Sequence, residues 1–142
     1  MAASLGDLNE VRDVKKLFTI HYALRNSVEG GRGRPEHGVH STTVIDDYAA
    51  ALLGAYDILT TRLGWPSLSS RPVPVEVRLL PSGNLGLAFP KAWGGPRLWL
   101  HRGGDEPDPA REKASRYPTS VHELSHLLQF ECGVSSKWKW LD

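Results

Sequence analysis

Between Thr43 and Leu63 the residues Ile45, Tyr48, Ala49, Leu52, Tyr56, Leu59 and Leu63 recur at steps of three and four. That is the period of one face of an amphipathic α-helix. Further on, over residues 73–80, Val75, Val77 and Leu79 alternate with Glu76 and Arg78, the two-residue period of a strand with one wet face. A chain that commits to both periods must bury a helical stripe against a sheet, so an α+β fold is expected. The helix ends agree with its period. Thr43 with Asp46 three residues later reads as a variant capping box, and Gly64 before Trp65-Pro66 reads as a stop.

Residues 16–24, KLFTIHYAL, are rich in β-branched and aromatic side chains and read as a strand. A Gly/Arg/Pro-rich loop through Gly38 follows. Residues 81–84, PSGN, read as a turn, and residues 85–89 and 97–101 as two short strands separated by Pro90 and the Gly94-Gly95-Pro96 break. Residues 103–116 are polar, carry Pro107 and Pro109, and read as a surface loop leading to Pro118, which suits the first turn of a second helix. The expected architecture is a mixed sheet of about four strands with two helices, in one domain spanning residues 1–142.

Composition removes several classes of function. With 17 Lys+Arg against 16 Asp+Glu the formal net charge is +1, so no global field favours nucleic acid or an anionic membrane. No stretch approaches the roughly 20 apolar residues of a transmembrane helix, and residues 1–16 contain no apolar core of a signal peptide. A soluble protein is expected. Cys132 is the sole cysteine, which excludes an internal disulfide but leaves the compartment open.

The chemistry concentrates in His122-Glu123-Leu124-Ser125-His126. On a helix, His122 and His126 lie one turn apart on one face and can offer imidazole nitrogens to a single Zn2+ ion. Gln129 joins that face, while Val121, Leu124 and Leu128 form an apolar back. Glu123 lies off the line joining the histidines and is placed as general base; bound zinc would supply a water made acidic near neutral pH and a positive charge for the developing oxyanion. A plainer alternative stands beside this one. Ser120 with Glu123 three residues later is also a capping box, which would make the histidines ordinary surface residues.

In this helix the chain resembles the zincin metallopeptidases. The metzincin subgroup continues with a glycine and a third histidine, where this chain has Gln129 and Cys132. The run HELSHLLQF through KWKWLD is instead similar to gluzincin-like bacterial peptidases, often secreted, whose helix reads H-E-L-x-H-x-x-Q and is followed by W-x-x-E-G. IHYA, DDYAAALLGAYDILTTRLGW and PVPVEVRLL resemble the strand, helix and strand of that group in order, so the likeness runs through most of the chain. It implies a zinc-dependent metallopeptidase acting on a peptide or protein substrate, with His122 and His126 as ligands and Glu123 as base. It also implies that residues 1–142 are the N-terminal subdomain of the catalytic domain, with a glutamate ligand just beyond Asp142; Asp142 or Cys132 would be substitutes. The strand at residues 85–89 takes the place of the edge strand that receives peptide in such enzymes; the plain alternative is an ordinary edge strand. The contrasting expectation is a non-catalytic zincin-like fragment or binding module with an incomplete metal site.

The other histidines are His21, His37, His40 and His101, and only His37 and His40 have metal-type spacing. Their glycine-rich setting reads as a solvated loop. Lys137-Trp138-Lys139-Trp140 interleaves cations with aromatics. With charge balanced elsewhere it reads as packing surface rather than a nucleic-acid site.

Overall fold

A computed structural model describes residues 8–24, 35–68, 71–81, 83–90, 95–104 and 107–131. Cys132, Lys137, Trp138, Lys139, Trp140 and Asp142 lie outside the described residues, as do Arg32 and Arg34. The elements run β1 (Glu10–Val14), β2 (Phe18–Tyr22), α1 (Thr42–Asp57), β3 (Val73–Arg78), β4 (Gly86–Phe89), β5 (Arg97–His101) and α2 (Pro109–Glu131). The sheet has five strands in the order β1-β2-β3-β5-β4. Strands β2, β3 and β5 are parallel at its centre, and β1 and β4 are antiparallel at the two edges. The fold is therefore α+β with a mixed sheet, one strand larger than the four expected.

The extra strand is β1, whose EVRDV sequence places charges on a strand that is partly exposed at the sheet edge. It reaches β2 through the three residues 15–17, closed by the Leu17 amide donating to the Val14 carbonyl at 3.0 Å, with Lys15 and Lys16 at φ values of 55° and 59°. A tight hairpin of this hand needs left-handed backbone at both turn positions, usually supplied by Asn-Gly. Lys-Lys lacks that signal, which is why the hairpin is invisible in the sequence.

Helix α1 begins at an N-cap two residues earlier than expected: Ser41, not Thr43, accepts through its side chain from the Thr43 amide. Asp46 does not close a capping box but pairs with Arg12 of β1. Ile45, Tyr48, Leu52 and Leu59 are buried as the period requires, whereas Leu63 is 60% exposed. The cause is a π-helical turn over Ile58–Arg62, in which the Leu63 amide donates to the Ile58 carbonyl at 2.9 Å. The wider turn rotates the last apolar position away from the core. Gly64, at φ 71°, ends the helix as expected.

Strand β3 departs from the reading of one wet face. Val73, Val75 and Val77 are fully buried, but Glu76 is buried too, at 6% exposure. Glu76 lies on the face opposite the valines, where Pro74 stays exposed, and it is enclosed there by side chains of the sheet itself, pairing with Arg78 at 2.5 Å and Arg97 at 3.8 Å. His21, its register neighbour on β2, is pushed below its ordinary pKa by burial, against an upward pull from Glu76.

Helix α2 starts nine residues before the expected position. Asp108 accepts from the Ala110 amide through its side chain, so Pro109 takes the first-turn place that the sequence suggested for Pro118. Residues 109–116 are thus helix, not loop, and Pro118 sits inside α2 on its exposed side. The carbonyl of Ala114, deprived of its amide partner by the proline, is likewise on the exposed side and can be met by water. One hydrophobic cluster unites Ile45, Tyr48 and Leu52 of α1 and Leu124, Leu127 and Leu128 of α2 with Val75, Val77, Leu98 and Leu100 of the sheet. Both helices therefore pack on the same face. Arg116 of α2 locks them together by pairing with Asp47 of α1 and, at 3.2 Å, with Glu112.

Candidate metal centre

The early start of α2 decides how its middle is read. Ser120 lies well inside the helix and donates through its hydroxyl to the Arg116 carbonyl at 2.8 Å, so it caps nothing and Glu123 is no partner in a capping box. Ser125 likewise donates to the Val121 carbonyl at 2.6 Å. These bonds satisfy buried hydroxyls within the helix.

His122 Nε2 and His126 Nε2 stand 3.1 Å apart, and each of the three residues offers one ligand atom within 4.8 Å of the others. Among the described residues this is the sole cluster of three or more metal-type side chains. Two imidazole nitrogens bound tetrahedrally at the usual zinc distance would lie about 3.3 Å apart, so the helix already holds the pair at nearly the right separation. His126 is buried at 2% exposure while His122 is exposed, which gives the cluster one protein-facing side and one side open to solvent.

Gln129 adds the orienting bond. Its Oε1 lies 3.3 Å from His126 Nδ1, and an amide oxygen can only accept, so Nδ1 carries the proton and Nε2 presents its lone pair toward His122. Such partners fix the tautomer and ring angle of a ligating histidine. Replacing Gln129 by alanine is expected to weaken zinc binding by roughly 10-fold to 100-fold, measured by competition with a chromogenic chelator. An unchanged affinity would remove Gln129 from the centre.

Glu123 is buried, at 7% exposure, and lies beneath the first residue of β4. A Cβ built on Gly86 would fall 2.6 Å from Glu123 Cγ and 3.1 Å from Thr119 Cγ2. Only glycine lets the strand backbone come this close to the carboxylate. Gly86 is the positioning residue that pattern reading overlooked, although a glycine opening a short strand is itself a sign of close backbone approach. Strand β4 hydrogen-bonds only to β5, so among the described residues its other side is an open sheet edge beside the cluster.

The remaining histidines do not join the centre. His37 is buried rather than solvated, and its Nδ1 accepts from the Leu79 amide at 3.1 Å, tying a short 3-10 turn to the end of β3. His101 Nδ1 accepts from the Gly103 amide at 2.9 Å, and His40 lies against Gly104. His21 is buried in β2. No helix among the described residues is long and apolar enough to cross a membrane.

Comparison of the chain with protein families, with curated proteins and with solved structures returns no match.

Proposed function

We propose that this protein is a zinc-dependent metallopeptidase of the gluzincin-like kind, with His122 and His126 as ligands of one Zn2+ ion and Glu123 as general base. The observation that carries the proposal is the convergence of the three side chains on one helix face, with the two Nε2 atoms 3.1 Å apart. Three further features support it: the Gln129 bond to His126, the close approach of Gly86 over Glu123, and the antiparallel edge strand β4 beside the cluster.

Zinc in this site would supply a Lewis acid that polarises a peptide carbonyl and acidifies water. The rest of the reaction falls to the chain's own groups. Glu123 takes the proton of the attacking water and afterwards passes it to the leaving amine. The open edge of β4 binds the substrate backbone by strand addition, which lays an extended peptide across Glu123. The buried side of the helix, with Leu124 and Leu128 in the core, keeps the three groups in fixed relation.

The test is metal content with and without activity. Purified protein is expected to bind about one zinc per chain, to cleave casein, to lose cleavage on treatment with 1,10-phenanthroline and to recover it when zinc is restored. A protein that takes up no zinc is no metallopeptidase. One that binds zinc but cleaves nothing is instead a binding module with an incomplete site.

A further inference from the structure

Beside the metal centre lies a cavity of about 730 Å³, and the chemistry assigned to Glu123 makes no use of it. One wall is apolar, made by Leu79, Leu80, Pro81 and Leu85. The facing wall is a stripe of α2 that carries Glu112, Ser115, Arg116 and Thr119. Thr119 also shares with Glu123 the space beneath Gly86, so cavity and centre are continuous along the helix. Leu85 directly precedes β4. A peptide paired with the open edge of β4 across Glu123 therefore meets the cavity at the start of that strand.

The charges of the lining cancel. Arg116 pairs with Asp47 and with one oxygen of Glu112, whose other oxygen accepts from the Gly104 amide. With Arg111 at the exposed rim, two cations stand against two carboxylates. His101 adds no charge, because its Nδ1 accepts from the Gly103 amide. A charged side chain of either sign would give up water here and find no unmatched partner. The α2 wall is polar all the same. Ser115 gives its hydroxyl proton to the Glu112 carbonyl at 2.7 Å, so its oxygen remains an acceptor. Arg116, buried at 8% exposure, pairs through Nη1 and Nη2, which leaves its Nε–H as a donor among the described residues. A hydrocarbon side chain laid on this wall would strip water from both groups and replace it with nothing.

We infer that this cavity is a specificity subsite of the same centre and takes an uncharged carboxamide side chain of the bound peptide, glutamine above all. The inference rests on the metallopeptidase reading for the line along which the peptide lies. The methylenes of glutamine cover the apolar wall, its amide oxygen accepts from Arg116, and its amide NH2 donates to Ser115. The Thr119 hydroxyl serves either end. A carboxylate satisfies the donor alone and lies against the Glu112 and Ser115 oxygens. An ammonium satisfies the acceptor alone and lies against Arg116. Leucine fills the apolar side and leaves the polar wall bare, the arrangement by which a site built to hydrogen-bond rejects an analogue that cannot.

Binding tests it without requiring cleavage. End-blocked, fluorescein-labelled peptides, with one Gln, Glu, Lys or Leu walked through an otherwise Ala/Ser sequence, are titrated against the Glu123→Gln protein in the presence of zinc and followed by anisotropy. At one position Gln is expected to bind about 10-fold tighter than Glu, Lys or Leu. The additional variant Ser115→Ala removes the acceptor while keeping a good helix former, and is expected to cut the margin of Gln over Leu to about 3-fold or less. Ser115→Lys places an unmatched cation in the lining and is expected to make Glu the preferred residue; should its melting temperature show that it does not fold, Ser115→Ala decides alone. A Gln preference absent at all positions, or one that survives Ser115→Ala unchanged, overturns the subsite. If the preference shifts as expected while wild-type protein cleaves none of the peptides, the subsite stands and the catalytic reading falls.

Discussion

Glu123→Gln is expected to retain zinc at the wild-type level and to lower casein cleavage by a factor on the order of a thousand. The substitution keeps the volume that fits beneath Gly86, where the carboxylate chain stands within 2.6 Å of a would-be Cβ, so neither β4 nor α2 has reason to move. It removes only the ability to accept and return a proton. The two imidazoles remain, as does Gln129 behind His126, and these are the groups assigned to hold the metal. Zinc content, melting temperature and initial rate measured on the same preparation separate the possibilities. Cleavage within a factor of about three of wild type would sink the assignment of Glu123 as base. Loss of zinc together with activity would instead move Glu123 among the ligands.

Much of this site was legible before any coordinates because one helical turn does most of the geometric work. Spacing alone puts His122 and His126 on one face, and Gln129 joins them; Leu124 and Leu128 fill the core as their positions require. What spacing could not show is set by contacts between elements distant in the chain. Gly86 matters only because β4 crosses α2 at Glu123. In the fold, the misplaced start of α2 came from two prolines that obey the same rule: Pro109 and Pro118 both suit a first helical turn, and the Asp108 side chain chooses the earlier one. Strand β1 was missed because its turn uses lysines in a backbone conformation normally signalled by glycine or asparagine.

Strand β3 offers the other large effect, because there alternation in the sequence pointed to water and the fold supplied burial. Glu76→Gln is expected to cost about 3 kcal/mol of stability, measured by urea unfolding monitored by tryptophan fluorescence. The glutamate side chain is 7% exposed and its nearer partner Arg78 15%, so the variant puts a neutral amide in place of the anion of a mostly desolvated pair. Arg78 also lies over the Trp99 ring, with 5.1 Å to its centroid, and that contact holds the cation in place instead of letting it swing into solvent. Arg97 is the internal control. It is 31% exposed and 3.8 Å from Glu76, and it packs over Phe89 at 4.3 Å, so Arg97→Gln is expected to cost under about 1 kcal/mol. Equal losses for the two variants would mean that burial of Glu76 is not what makes its pairing strong. A loss below about 1 kcal/mol for Glu76→Gln would show that water reaches the center of the sheet's second face, and that the strand has the wet side its alternation implied.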